Sequence, residues 1–245
     1  MANQVAQEAF NHLLGDLRAT HGENLASVVL YGSAATGEHV AQQSDYNLLI
    51  ALHRITPEDL RLAQAPMREW QRLGHPLPVY FTLGELHDAA DVFPIEFHQM
   101  SRARVVLHGE DPFATLQLSD ANLRHQTEYE LRSKLLQLRR LYIPASVSVE
   151  QLCDLMSDSL ASFATLFAAA LRLAGVEPPV VKRDVVRAAV RHFGLEAAPF
   201  ERILELRETG ARPAEDVEAN ELFAAYLAQI ERVVAAVDQM SAAAA

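Results

Sequence analysis

The sequence predicts an α+β fold: a small mixed-sheet αβ domain over residues 1–112, followed by an all-helical bundle domain over residues 113–245. Three observations carry that prediction. Short β-branched, apolar runs alternate with amphipathic segments only in the first half, while the second half is almost continuous helical periodicity. The turn residues Gly109-Glu110-Asp111-Pro112 fall between the two patterns. Histidine divides in the same way, with eight of the ten before position 113.

Taken in order, Val5 to Thr20 places Phe10, Leu13, Leu14 and Leu17 at the spacing of an amphipathic helix. Leu25 to Tyr31 is an apolar run stopped by Gly32 and reads as a buried strand; Tyr46 to Leu52 reads as a second. Thr56-Pro57-Glu58-Asp59 has the hydroxyl, proline and acids of a helix start, and that helix is expected to run to about Leu73. Leu77 to Thr82 is a third strand, with Pro78 suited to its edge or start. Thr82-Leu83-Gly84-Glu85 forms a capping box for a short helix, and Arg104 to His108 makes a fourth strand. Long helices are expected at about 121–142, 148–174, 183–193, 198–208 and 215–240. The second of these, capped by Ser148 and ended by Gly175, carries Leu160 to Phe167 and reads as the central helix of the bundle.

Composition excludes several functions. Half the residues are hydrophobic and 22% are charged, an ordinary globular balance. The longest uncharged run, between Asp158 and Arg172, is short for a membrane span, and residues 1–4 lack the basic start of a signal peptide. A single cysteine, Cys153, excludes a disulfide framework and suggests a reducing, cytoplasmic setting, with the thiol packed in a core. A net charge of −11 disfavours bulk nucleic-acid binding and anionic membranes, yet leaves room for a local phosphate pocket.

The informative stretch is Leu30-Tyr31-Gly32-Ser33-Ala34-Ala35-Thr36-Gly37, followed by Ser44-Asp45-Tyr46-Asn47. A strand that ends in Gly-Ser and turns into a helix presents backbone N–H groups and a hydroxyl, a seat for phosphate at Gly32 and Ser33. Asp45 and Asn47, two apart on a strand, point to one face. Such an oxygen pair beside a phosphate cradle suits Mg²⁺ bound to nucleotide phosphates.

In these residues the chain resembles the nucleotidyltransferase (polymerase-beta-like) superfamily, whose signature is Gly-Ser, a spacer of about ten residues, then Asp-x-Asp. The order of an αβ domain followed by helices is similar to the aminoglycoside nucleotidyltransferases. Asp91-Val92-Phe93-Pro94-Ile95-Glu96-Phe97 and His108-Gly109-Glu110-Asp111-Pro112 look like a bacterial group of nucleotidyltransferase-domain proteins. The resemblance implies that Gly32 and Ser33 hold the β- and γ-phosphates of an NTP, ATP foremost. It implies that Asp45 and Asn47 hold Mg²⁺, and that a nucleoside monophosphate passes to a hydroxyl of a small-molecule or protein acceptor. The chain departs from the signature in two places. Asn47 replaces the second metal carboxylate, and Val79 to Thr82 lacks the third acid, leaving Glu96, Asp91 or Glu85 as substitutes. Of these, Glu96 is the catalytic candidate beside Asp45, though it could instead pair with Arg102 or Arg104. The rival expectation is a non-catalytic nucleotide- or partner-binding module, or one component of a toxin–antitoxin pair.

Elsewhere, Arg183, Arg187 and Arg191 form one basic stripe at i, i+4 and i+8. Either it is a solvated face paired with local acids, or Arg187 and its neighbours clamp the triphosphate. Arg187 and His192 also fit a loose Arg-x4-His pattern that occurs often by chance. The first-half histidines show no zinc-site spacing.

Overall fold

The computed structural model describes residues 2–36 and 46–240. Two compact units result, Met1–Leu118 and Ser119–Ala245. The break lies after Leu118 rather than at Pro112, because Phe113 is buried in the first unit's core, with Leu116 and Leu118 packed against it.

The first unit begins with α1 (Ala2–His21) and β1 (Leu25–Tyr31). Next come β2 (Asn47–Leu52), α2 (Pro57–Leu62), α3 (Gln64–Arg72) and β3 (Val79–Thr82). It closes with α4 (Leu83–Asp88), α5 (Pro94–Arg102) and β4 (Arg104–Gly109). The sheet runs β3-β2-β1-β4 and is mixed: β1 pairs antiparallel with β2 and β4, and β2 pairs parallel with β3.

Strand alternation builds two cores. Val28, Leu30, Leu48, Ile50 and Leu52 face α1 and α3, meeting Leu13, Leu17, Met67 and Trp70. Val29, Leu49 and Ala51 face the opposite layer, meeting Leu86, Phe97, Met100 and Phe113. Tyr46 enters the first core, edge-on to Phe10 at 4.8 Å and to His75 at 4.7 Å between ring centroids. It fixes the parity of β2, so that Asn47 falls on the second face.

Local chemistry explains the boundaries. The Thr56–Asp59 capping box is present, yet the expected single helix divides at Ala63. Pro66 has no N–H to give and its ring would meet the Leu62 carbonyl, so the chain restarts as α3 with Pro66 in the first turn. Pro78 likewise delays β3 to Val79. Gly109, at φ +74°, follows His108 where any side chain would collide with the Ala26 carbonyl.

The elements described in the second unit are all helices: α6 (Asp120–Ala145), α7 (Val149–Leu173), α8 (Lys182–Phe193), α9 (Ala197–Thr209) and α10 (Asp216–Gln239). Ser148 caps α7 by accepting from the Gln151 N–H at 3.3 Å. By length and composition α7 could cross a membrane. Here it is the central helix, packed against all four others, with Leu152, Cys153, Met156, Phe163 and Phe167 buried. Buried Tyr226 meets the Ser159 hydroxyl at 3.1 Å, and burial pushes its pKa up.

Candidate functional site at the end of the central strands

β1 runs through the middle of the sheet and ends at Tyr31, where Gly32 adopts φ +83°. That left-handed backbone suits glycine, since a Cβ there strains the chain. A short 3-10 helix, Ser33–Thr36, comes next. Of Ser33 only the backbone is described, and residues 37–45 lie outside the described residues. The expected α-helix N-terminus is thus a 3-10 turn in the described chain. Two amides expected to face a ligand are also engaged. The Gly32 N–H donates to the Ala103 carbonyl at 3.0 Å, and the Ala35 N–H donates back to the Gly32 carbonyl at 3.0 Å.

Asn47 opens β2 opposite Tyr31. A Cβ built on Gly32 would lie 3.7 Å from the Asn47 amide nitrogen, so folding brings the two halves of the motif into contact distance. Among the described residues no hydrogen bond engages the Asn47 side chain. Of its side-chain atoms, the amide nitrogen is the one within 4 Å of the Gly32 Cβ position.

Asp45 falls outside the described residues. The other acids are dispersed. Parallel pairing sets Leu49 beside Val79, so the chain beside Asn47 is the approach to β3 around Leu77 and Pro78, which offers no carboxylate. Glu85 is spent in its capping box, accepting from the Thr82 N–H at 2.7 Å. Asp91 is exposed in the turn before α5. Glu96 sits in the first turn of α5, exposed between buried Ile95 and Phe97. Because α5 covers the sheet face that Asn47 shares, Glu96 is on the same side of the sheet. Arg104, one partner the sequence offered Glu96, instead grips Asp111 with contacts of 2.6–3.0 Å, which contribute to holding that carboxyl below its ordinary range against its own burial.

Among the described residues no three His, Cys, Asp or Glu side chains cluster as a metal site. The motif's donor set, one carboxylate and one amide oxygen with phosphate oxygens, fits a single Mg²⁺. It does not fit a pair of cations, which needs several negative ligands.

The basic stripe lies on α8 in the second unit. Arg187 makes two 2.8 Å contacts to Glu201, and Arg183 pairs with Glu208, both acids on α9. The Arg187 hydrogen bond holds the Glu201 carboxyl below its ordinary range. Sequence reasoning passed over Tyr31, read only as the end of a strand; the signal was its place immediately before Gly32.

No family model matches the sequence, and no curated protein matches it. Solved structures do. Spectinomycin adenyltransferase AAD(9) from Enterococcus faecialis, solved with ATP and spectinomycin, superposes with a TM-score of 0.58 over 95% of this chain and 99% of its own, at 13% identity. The chain has a nucleotidyltransferase fold. Its layout, a small αβ unit followed by helices, is similar to that of this adenyltransferase. At this identity the likeness speaks for the fold alone. Within the nucleotidyltransferase fold, Gly32 and Asn47 occupy the end of the two central strands.

Proposed function

We propose that this chain binds a nucleoside triphosphate, ATP foremost, at the end of β1 and β2. It transfers the nucleoside monophosphate to a hydroxyl of an acceptor. The supporting observation is the 3.7 Å approach between the Gly32 Cβ position and the Asn47 amide, which joins the two motif halves in a nucleotidyltransferase fold. Gly32 and Ser33 contact the β- and γ-phosphates. Asp45 and the Asn47 amide oxygen would hold one Mg²⁺, which when bound neutralises phosphate charge. The acceptor oxygen forms a bond to the α-phosphorus, the bond from that phosphorus to the bridging oxygen breaks, and pyrophosphate leaves. Glu96 would take the acceptor's proton. Because the structural neighbour was solved with ATP and spectinomycin, polyhydroxylated amino compounds are the acceptor class to try first. The cytoplasm supplies ATP and Mg²⁺ and suits the single buried thiol.

A second reading is favoured by one observation, the lack of an acid on the approach to β3: a module that keeps nucleotide and has lost transfer, including a toxin–antitoxin component. Calorimetry with the four NTPs and Mg²⁺, on wild type and Asp45→Ala, tests the binding. Incubation with α-labelled ATP and candidate acceptors tests transfer. Labelled adduct with equimolar pyrophosphate supports the enzyme. Asp45-dependent binding with no adduct supports the module, and no NTP binding at all removes both.

A further inference from the structure

The end of β1 carries a polar group that the Gly-Ser and Asp-x-Asn motif does not include. Tyr31 stands directly across the antiparallel ladder from Asn47. Opposed residues on one face of such a ladder hold their Cβ atoms about 4.5–5.5 Å apart. Alternation from Val29 puts Tyr31 on the second sheet face, where its ring is half-buried against the core that contains Phe97 and Met100. Its hydroxyl makes no hydrogen bond among the described residues, nor is it one of the buried polar atoms that lack a partner. The phenol has a packed ring and a hydroxyl with no hydrogen-bond partner among the described residues. Burial raises its pKa, so the hydroxyl keeps its proton and can donate. The next residue along the row is engaged: Arg104, the Cα partner of Tyr31 on β4, is held by Asp111 and the Ser101 carbonyl. The adjoining Gly32 N–H is held by Ala103.

From this placement we propose that Tyr31 contacts the nucleotide, its hydroxyl donating a hydrogen bond to an anionic phosphate oxygen. The assignment rests on the nucleotide reading above. A phosphate oxygen accepts and cannot donate, which matches a protonated phenol. The Gly32-Ser33 turn, the phosphate contact in that reading, is next to Tyr31 in the chain. With the Gly32 and Ala35 amides used inside the fold, Tyr31 supplies a further donor beside the turn.

Tyr31→Phe removes the hydroxyl and keeps the ring in its packing. Calorimetry with Mg²⁺–ATP and with adenosine, alongside thermal unfolding, tests the assignment. ATP affinity should fall roughly tenfold, the usual scale for losing one hydrogen bond to a charged group. Adenosine affinity and the unfolding midpoint should stay at wild-type values. A Tyr31→Phe protein that binds ATP as tightly as wild type overturns the assignment alone, as does an equal loss for adenosine and ATP. Failure of the wild-type protein to bind ATP overturns the nucleotide reading, and this assignment with it.

Discussion

On the helical unit, Arg183 and Arg187 of α8 meet Glu208 and Glu201 of α9, and the Tyr226 hydroxyl meets Ser159. At the end of the sheet, by contrast, Tyr31 and Asn47 stand side by side with no hydrogen bond to their polar heads among the described residues. Both regions looked ready for phosphate in the sequence, one through an arginine stripe and one through a Gly-Ser turn. The difference is that folding has already supplied partners on α8, while at the strand end it has left oxygen and hydroxyl groups to be met by something else.

The helical unit should be the place where packing decides. Phe167 is fully buried in α7, edge-on to Phe200 at 6.0 Å between centroids. Phe167→Ala should cost about 3–5 kcal/mol, the range for emptying a large aromatic site. Denaturant unfolding followed through helical signal would read it. A loss below about 1 kcal/mol would mean the unit recloses around the hole, and that its order is not held by this core.

At the strand end, charge should decide. Asn47→Asp restores paired carboxylates with little change of shape. Added charge a few ångströms from a divalent cation is worth on the order of a few kcal/mol at an effective dielectric of about 20. Mg²⁺-dependent ATP affinity should therefore rise at least roughly tenfold, one decade being about 1.4 kcal/mol. In EDTA the same change should weaken binding, since two carboxylates then face the phosphates unscreened. Calorimetry in both conditions gives the two signs. No change in either would remove the cation from this strand and favour the binding module.

His21 sharpens the comparison within the first unit, as a polar group left unmet with no solvent to meet it. It is 7% exposed, neither ring nitrogen has a partner, and the nearby Tyr80 hydroxyl is also buried without one. Burial lowers the imidazole pKa, and the Asp59 carboxylate only partly opposes this. The folded state therefore prefers neutral His21, while the unfolded chain takes up a proton below its ordinary value near 6.5. The stability from neutral burial is complete above that pH and is lost as the pH falls through the lowered folded value. His21→Phe should flatten this slope and, by removing two orphaned nitrogens, raise stability by about 1–3 kcal/mol at neutral pH. Thermal melts between pH 5 and 8 would check it; an unchanged slope would mean that His21 finds a partner in solution.

Much of the fold was legible because its signals are local. Strand runs, the Thr56 and Thr82 capping boxes and the Ser148 cap each depend on residues within one or two turns. Pro66 was equally visible, but the amphipathic run around it hid the break at Ala63. The site was legible only as far as spacing reaches. Gly32 and Asn47 came from the motif, whereas the Gly32 amide is captured by Ala103, far along the chain on the approach to β4. The Arg187–Glu201 pair required α8 and α9 to fold back on each other. Such pairings are set by topology, which no local pattern states. Tyr31 needed the register itself, Tyr31 against Asn47, before its side chain could be placed on the site's face.

The smallest effect is expected on α8. Arg187 and Glu201 are both well exposed and bidentate at 2.8 Å. Exposed pairs of this kind stabilise little, because solvent screens them and two long side chains lose freedom. Arg187→Gln should leave the unfolding midpoint nearly unchanged. With its guanidinium already shared by Glu201, it should also leave Mg²⁺–ATP affinity within about twofold of wild type, well under the decade that 1.4 kcal/mol represents. The decisive measurement is the ratio of ATP to AMP affinity at low salt, where a clamp on the triphosphate would be least screened. If Arg187→Gln weakens ATP much more than AMP, Arg187 leaves Glu201 for the phosphates when nucleotide binds, and the stripe joins the site. If the ratio holds, the ion pair is the arginine's whole role, and the phosphates are met at the end of β1.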